Sequence, residues 1–253
     1  MGNISAKTLP GIFFEQANSL KDKPLFWSKK EGFWEGVTWS DAALQVKKLA
    51  SVLQSYGVKK GDRVLIVSEN RPEWAISDLA IMSLGAIVVP AYTSNTEEDN
   101  NYLLTHSQAK LAITSGGNVA SRLCLAADSN KFIKNIILID AEPRNFTVKG
   151  CKILSWNEEI KKVDIDSKFE KSIEKLSDED VCCFIYTSGT GGRPKGVMLT
   201  HKSIFSNILA CSDVIKDVKI EEKVFLSLLP LSHAYEHTCA VSYTHLTLPT
   251  SPK

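Results

Sequence analysis

The spacing of apolar positions changes several times along the chain, and each change predicts an element. Leu25-Phe26-Trp27 and Gly36-Val37-Thr38-Trp39 flank the turn-rich Lys29-Lys30-Glu31-Gly32, which predicts a hairpin. Ala42, Val46, Leu49 and Leu53 then form one helical stripe, with Ser40 as the predicted cap and Gly57 as the stop. Val64 to Val67 is a short continuous apolar run, the pattern of a strand buried on both faces. Asn70-Arg71-Pro72-Glu73 predicts a capped helix start, with proline early and a carboxylate three residues after Asn70. That helix runs to about Leu84, and Ala86 to Val89 is the next strand, completing a βαβ unit.

The alternation continues. Ser94-Asn95-Thr96-Glu97 fits a capping box before a helix through Leu104, followed by a strand from Lys110 to Thr114. A helix around Ala120 to Ala127 and a strand at Ile136 to Ile139 follow. The expected fold class is therefore α/β, a mostly parallel sheet covered by helices on both faces. From Asn157 to Asp180 charges dominate, which predicts solvated helices and a surface connection.

Composition narrows the setting. Apolar residues at 43% and charged residues at 23% exclude a disordered or fibrous chain, and a net charge of +1 gives no support to a nucleic-acid partner. The six cysteines are scattered with no C-x-x-C pair, so the expectation is free, mostly buried thiols in a reducing cytosol. Cys182 and Cys183, as neighbours on a strand, are expected on opposite faces. The opening residues are polar, unlike a secretory leader, and Ala6 breaks the myristoylation pattern. The most apolar stretch, Leu79 to Tyr92, is interrupted by Gly85 and Pro90 and is too short to span a bilayer. A cytoplasmic location is expected. His106 and His201 read as ordinary polar or capping residues.

The candidate chemistry lies at 181–201. The apolar run Val181 to Tyr186 enters a loop with Thr187, Ser188, Gly189, Thr190, Gly191, Gly192, Arg193, Pro194, Lys195 and Gly196. Glycines let backbone N–H groups converge on an anion, hydroxyls add donors and Lys195 adds a point charge. The set suits a polyphosphate. It is not a Walker A loop, because Lys195 lies between Pro194 and Gly196 rather than in G-K-[ST]. Pro194 and Val197-Met198-Leu199 predict a strand after the loop, with a helix capped at Thr200 coming later.

Tyr186 to Val197 closely resembles the phosphate-loop signature Y-T-S-G-T-T-G-x-P-K-G-V of the adenylate-forming synthetases, with Gly191 in place of a threonine. Leu229 to His237 resembles the family's next core motif, and the stretches Thr38 to Asp41 and Glu69 to Trp74 resemble its long-chain fatty acyl-CoA synthetase branch. The resemblance implies the N-terminal part of such an enzyme's large domain. It implies ATP, Mg2+ and CoA, with a fatty acid activated first to acyl-AMP and then to acyl-CoA. It further implies that Thr187, Ser188, Gly189, Thr190, Gly191, Gly192, Lys195 and Gly196 hold the nucleotide. Lys195, Thr190 and His233 would be catalytic, His233 would orient the carboxylate, and Tyr235 would form a wall of the acyl pocket. A lipid substrate leaves room for peripheral membrane contact at the inner face, and the oligomeric state stays open.

The family's magnesium-binding glutamate, ribose-binding aspartate, hinge and C-terminal adenylation lysine have no counterpart in the sequence. Residues 1–240 are therefore expected to be a truncated AMP-binding domain, inactive by itself. Residues 241–253 are expected to be foreign. Val241 to Thr250 back-translate to GTC TCT TAT ACA CAT CTG ACG CTG CCG ACG, a string resembling a tagmentation transposon end and adapter. Three other readings stay open: an aryl- or amino-acid-activating relative, a non-catalytic nucleotide-binding fragment, and a zinc metallopeptidase using H-x-x-E-H at His233, Glu236 and His237.

Overall fold

The computed structural model describes residues 6–187, 192–216 and 225–238. Helix α1 (Leu9–Leu20) precedes a hairpin of β1 (Pro24–Lys30) and β2 (Phe33–Thr38), and α2 (Trp39–Ser55) follows. The central alternation is β3 (Arg63–Val67), α3 (Pro72–Ser83), β4 (Ile87–Ala91), α4 (Glu97–Ser107), β5 (Leu111–Thr114), α5 (Gly117–Asp128) and β6 (Asn135–Leu138). Then come β7 (Lys152–Ser155), α6 (Trp156–Lys162), α7 (Phe169–Glu174), β8 (Val181–Thr187), β9 (Lys195–Thr200) and α8 (His201–Lys216).

The seven-stranded sheet has the order β7-β6-β5-β3-β4-β8-β9. Every neighbouring pair is parallel except β8 with β9. The fold class expected from the alternation is observed. Its strands are short apolar runs because both faces are covered. Val64 and Ile66 of β3 enter one core with Leu9, Phe13, Val46 and Trp74. Leu65 and Val67 enter the other with Leu103, Leu104 and Leu123. Helices α1, α2 and α3 thus cover one face, and α4 and α5 cover the other.

Chain direction explains this division. From β3 the chain steps to β4 on one side, then returns past β3 to β5 on the other. Right-handed crossovers in opposite directions place their helices on opposite faces. At the reversal, the loops after β3 and β5 diverge and leave a crevice at the strands' carboxyl ends. Glu69, Ser115, Gly116, Gly117 and Asp140 line a polar hollow of about 290 Å³ there.

Helix starts differ from the sequence expectations in instructive ways. The cap of α2 is Thr38, not Ser40: its Oγ accepts from the Asp41 amide at 3.1 Å and its hydroxyl donates to the Asp41 carboxylate at 2.7 Å. For α4 the reciprocal box is formed by Thr96 and Asp99 rather than Ser94 and Glu97. Each true cap lies two residues from the expected one and has an aspartate three positions on. Asn70 does not cap α3. Arg71 holds that position without a side-chain capping bond, while Asn70 reaches residues 227–231. Helix α1 and strand β7 were not expected from the pattern. Cys182 and Cys183 both join the first core, because the β8–β9 register shifts between Val181 and Cys183. Cys124, Cys182 and Cys183 are buried and Cys151 is half-buried, all with free thiols.

The caps give a direct test. Thr96→Ala should destabilise the protein by about 1 kcal/mol in denaturant unfolding, whereas Ser94→Ala should change stability by less than about half that. Equal losses would restore Ser94 as the cap.

Candidate phosphate loop and acyl segment

The glycine-rich loop joins the carboxyl end of β8 to the start of β9. Its stems are cross-strand partners: Thr187 pairs with Lys195 and Tyr186 with Gly196. Antiparallel pairing therefore places the Thr187 hydroxyl and the Lys195 ammonium on facing residues, both exposed. Gly196 is dictated by packing. A Cβ there would meet the Tyr186 ring at 3.2–3.5 Å, so its absence lets the ring lie across the hairpin. Gly192 has φ +123°, a conformation open to glycine and strained for other residues. Ser188, Gly189, Thr190 and Gly191 lie outside the described residues.

Helix α4 meets both stems. The Tyr102 hydroxyl donates to the Pro194 carbonyl at 2.7 Å, and the Arg193 guanidinium lies 5.5 Å above the Tyr102 ring. His106, one helical turn on, stacks against Tyr102 and has Nδ1 2.8 Å from the Tyr186 hydroxyl. Burial, then the neighbouring Tyr102, push the Tyr186 phenol up to about 12, with Arg63 acting the other way, so it stays protonated at neutral pH. His106 was expected to be an ordinary polar residue. Its role arises from the pairing of β4 with β8, which brings α4 beside a strand about 80 residues away.

His233 and Tyr235 lie together on the 225–238 segment and are exposed. The segment is seated on the start of α3. Asn70 Nδ2 donates to Ser227 Oγ and the Leu229 carbonyl, and Asn70 Oδ1 accepts from the Leu231 amide. Deeper, buried His237 has Nε2 3.2 Å from both carboxylate oxygens of Asp78. His233 Nδ1 instead accepts from the Tyr235 amide at 3.3 Å. The two imidazoles of the H-x-x-E-H pattern thus face different partners, one buried and one exposed. Among the described residues no group of three or more His, Cys, Asp or Glu side chains is arranged to hold a metal. The structure gives the metallopeptidase reading no support.

His201, also expected to be ordinary, is buried at the junction of β9 and α8. Thr200 caps the helix as anticipated, accepting from the Ser203 amide at 3.1 Å. Burial lowers the His201 imidazole to about 4, against the opposing pull of Asp180 and Asp178.

A glycine-rich loop at the carboxyl end of a strand in a doubly covered sheet is an architecture that α/β nucleotide-binding enzymes use. The chain belongs to the family of AMP-binding enzymes, whose model matches residues 13–247. It is 33% identical to fatty acyl-CoA synthetase A of Dictyostelium discoideum over 227 residues, covering 87% of this chain and 33% of the relative. To the long-chain-fatty-acid–CoA ligase FadD15 of Mycobacterium tuberculosis it is 29% identical over 238 residues, covering 92% of this chain and 38% of the relative. The inhibitor-bound N-terminal domain of FACL13 from M. tuberculosis shares the fold, with TM-score 0.74 and 21% identity over 95% of this chain and 55% of that one. So does the luciferase-like enzyme of the mealworm Zophobas morio, with TM-score 0.77 and 16% identity over 97% of this chain and 54% of that one. The chain spans about a third of the length of these curated relatives. No helix among the described residues is long and apolar enough to cross a membrane.

The buried imidazole makes stability depend on pH. Because its folded value, about 4, lies below the ordinary 6.5, folding favours the neutral form. That contribution is present above pH 6.5 and is lost as pH falls from 6.5 toward 4. Between pH 7 and pH 5 the loss should be about 2 kcal/mol beyond that of His201→Gln, compared by denaturant unfolding. Identical pH profiles for the two proteins would show that His201 takes up its proton as readily folded as unfolded.

Proposed function

We propose that this chain supplies the phosphate-holding part of a long-chain fatty acid–CoA ligase (AMP-forming). The observation that carries the reading is the β8–β9 hairpin, which presents Thr187 and Lys195 from paired positions at the mouth of the glycine-rich loop. The names of the relatives support the fatty-acid branch. In the whole enzyme a fatty carboxylate attacks the α-phosphorus of ATP and pyrophosphate departs. The CoA thiol then displaces AMP to give the thioester.

Within that reaction the residues of this chain bind and orient. Thr187, Ser188, Gly189, Thr190, Gly191, Gly192 and Gly196 offer hydroxyl and amide donors to the β- and γ-phosphate oxygens. The Lys195 ammonium offsets charge as it develops on the leaving pyrophosphate, which places Lys195 and Thr190 in the catalytic machinery. Exposed His233 directs the carboxylate, and Tyr235 forms an aromatic wall beside the acyl chain. The donor set of the loop fits phosphate oxygens. Magnesium would arrive with the ATP and neutralise part of its charge. A lipid substrate also favours peripheral contact with a membrane surface, and the reading leaves oligomeric state open.

Two measurements test the proposal. In calorimetry the 253-residue chain should bind MgATP, and Lys195→Ala should weaken binding about tenfold or more, the effect of losing a charge-assisted contact. An unchanged affinity would remove Lys195 from the site. In a coupled AMP-release assay with palmitate, ATP and CoA, this chain alone should give no turnover above the blank. Robust turnover would show that it carries a complete catalytic site.

A further inference from the structure

We propose that Tyr102 and His106 are positioning residues, a two-residue aromatic clamp on α4 that sets the geometry of both stems of the glycine-rich loop. No motif carries these residues, and neither donates to a phosphate in the reading above. Their contacts are nevertheless concentrated on the stems. Tyr102 and His106 are four residues apart, so they share one helix face. From that face the Tyr102 hydroxyl holds the Pro194 carbonyl on the β9 side at 2.7 Å. His106 holds the Tyr186 hydroxyl on the β8 side at 2.8 Å. The rings lock the two grips together: Tyr102 and His106 stack with centroids 5.4 Å apart, and both meet Tyr186 edge-on. Arg193 closes the arrangement over the outer face of Tyr102.

The clamp stands on a rigid base. The same helix buries Leu103 and Leu104 in the second core, and the Thr96–Asp99 box fixes its start. At its other end, Arg63 of β3 bonds the Ser107 carbonyl and the Gln108 side chain. Residues supported in this way hold their partners in one geometry. Thr187 adjoins Tyr186, and Lys195 adjoins Pro194, so each grip acts one residue from a proposed phosphate donor. The hydrogen-bonded ladder of β8 and β9 fixes which residues face each other. The clamp fixes where the hairpin end lies relative to the carboxyl ends of the other strands. Its consequence for affinity rests on the nucleotide reading, whereas its consequence for the stems does not.

The test uses the 253-residue chain with backbone hydrogen exchange and calorimetry. Combining Tyr102→Phe with His106→Leu removes both grips and keeps one ring. Exchange at the ladder amides of the stems, among Tyr186, Thr187, Lys195 and Gly196, should accelerate about tenfold, with β3 and β4 unchanged, and MgATP should bind about tenfold more weakly. Pairing Tyr102→Phe with His106→Asn, whose amide reaches the place of Nδ1, should recover part of both effects. If the first variant fails to fold, Tyr102→Phe alone should still accelerate the same amides by about fivefold. Unchanged exchange at the stems would overturn the clamp. So would acceleration that extends through β3 and β4, which would mark a general structural role. Failure of the unmutated chain to bind MgATP would refute the nucleotide reading, and the exchange ratio would still decide the clamp.

Discussion

Burial of the central strands on both faces is the constraint from which the rest of the architecture follows. Val64 and Ile66 pack on one side, Leu65 and Val67 on the other, and neither set can be left to water. A fully buried aliphatic side chain contributes about 1.5–3 kcal/mol relative to exposure, so an uncovered face would forfeit a large share of the core. Helices must therefore lie on both sides, and parallel strands joined by helices supply them. Once the strands are parallel, every loop leaving a carboxyl end emerges on the same edge of the sheet. The loops after β3, β5 and β6 border the crevice there. Arg71 pairs with Asp140, whose other oxygen accepts from the Gly116 amide. The glycine-rich loop leaves β8 on that edge as well.

The hairpin of β8 and β9 is where the parallel rule is broken, and the break has a chemical use. A parallel partner would require a helical crossover and would carry the chain away. An antiparallel turn returns it at once and places Lys195 opposite Thr187. Two costs are visible. Gly192 and Gly196 surrender side-chain packing, one to a positive φ and one to the Tyr186 ring. The pairing also slips between Val181 and Cys183, which turns both cysteines into the same core. Burial raises the Cys182 and Cys183 thiols, so they behave as small core residues rather than nucleophiles.

Much of this was legible from spacing alone, because strands such as Val64 to Val67 and stripes such as Ala42 to Leu53 carry their period in a few residues. Cap identity was harder. Thr38, Ser40, Ser94 and Thr96 are all competent caps, and the choice falls where an aspartate three residues on completes the reciprocal bond. The proposed phosphate loop rests on the composition and order of the glycine-rich stretch. Tyr102 and His106 could not be read in that way. Their meaning depends on β4 lying beside β8, a pairing between segments about 95 residues apart with nothing local to signal it. The same holds for His201, which is buried where its backbone N–H donates to the carbonyl of Asp180, just ahead of β8.

The 225–238 segment shows how the same edge of the sheet meets a second set of residues. Asn70 uses both ends of its amide on the backbone at Leu229 and Leu231, leaving Arg71 to open α3 without a side-chain cap. About two turns further along, Asp78 receives His237. Among the described residues, Trp74 Nε1, Glu236 Oε1 and His237 Nδ1 of this seat are buried without partners. A buried polar group left without partner or water costs roughly 1–3 kcal/mol. Burial of Leu231 and the ring contact between Trp74 and His237 offset part of such a cost. The position of exposed His233 is therefore set by α3, a helix whose other residues belong to the first core. The segment bearing His233 is thus seated on the start of α3 on one face, and the stems of the glycine-rich loop are met by α4 from the other. The strands between them keep the two in register, which is why the doubly buried sheet governs the proposed chemistry as well as the fold.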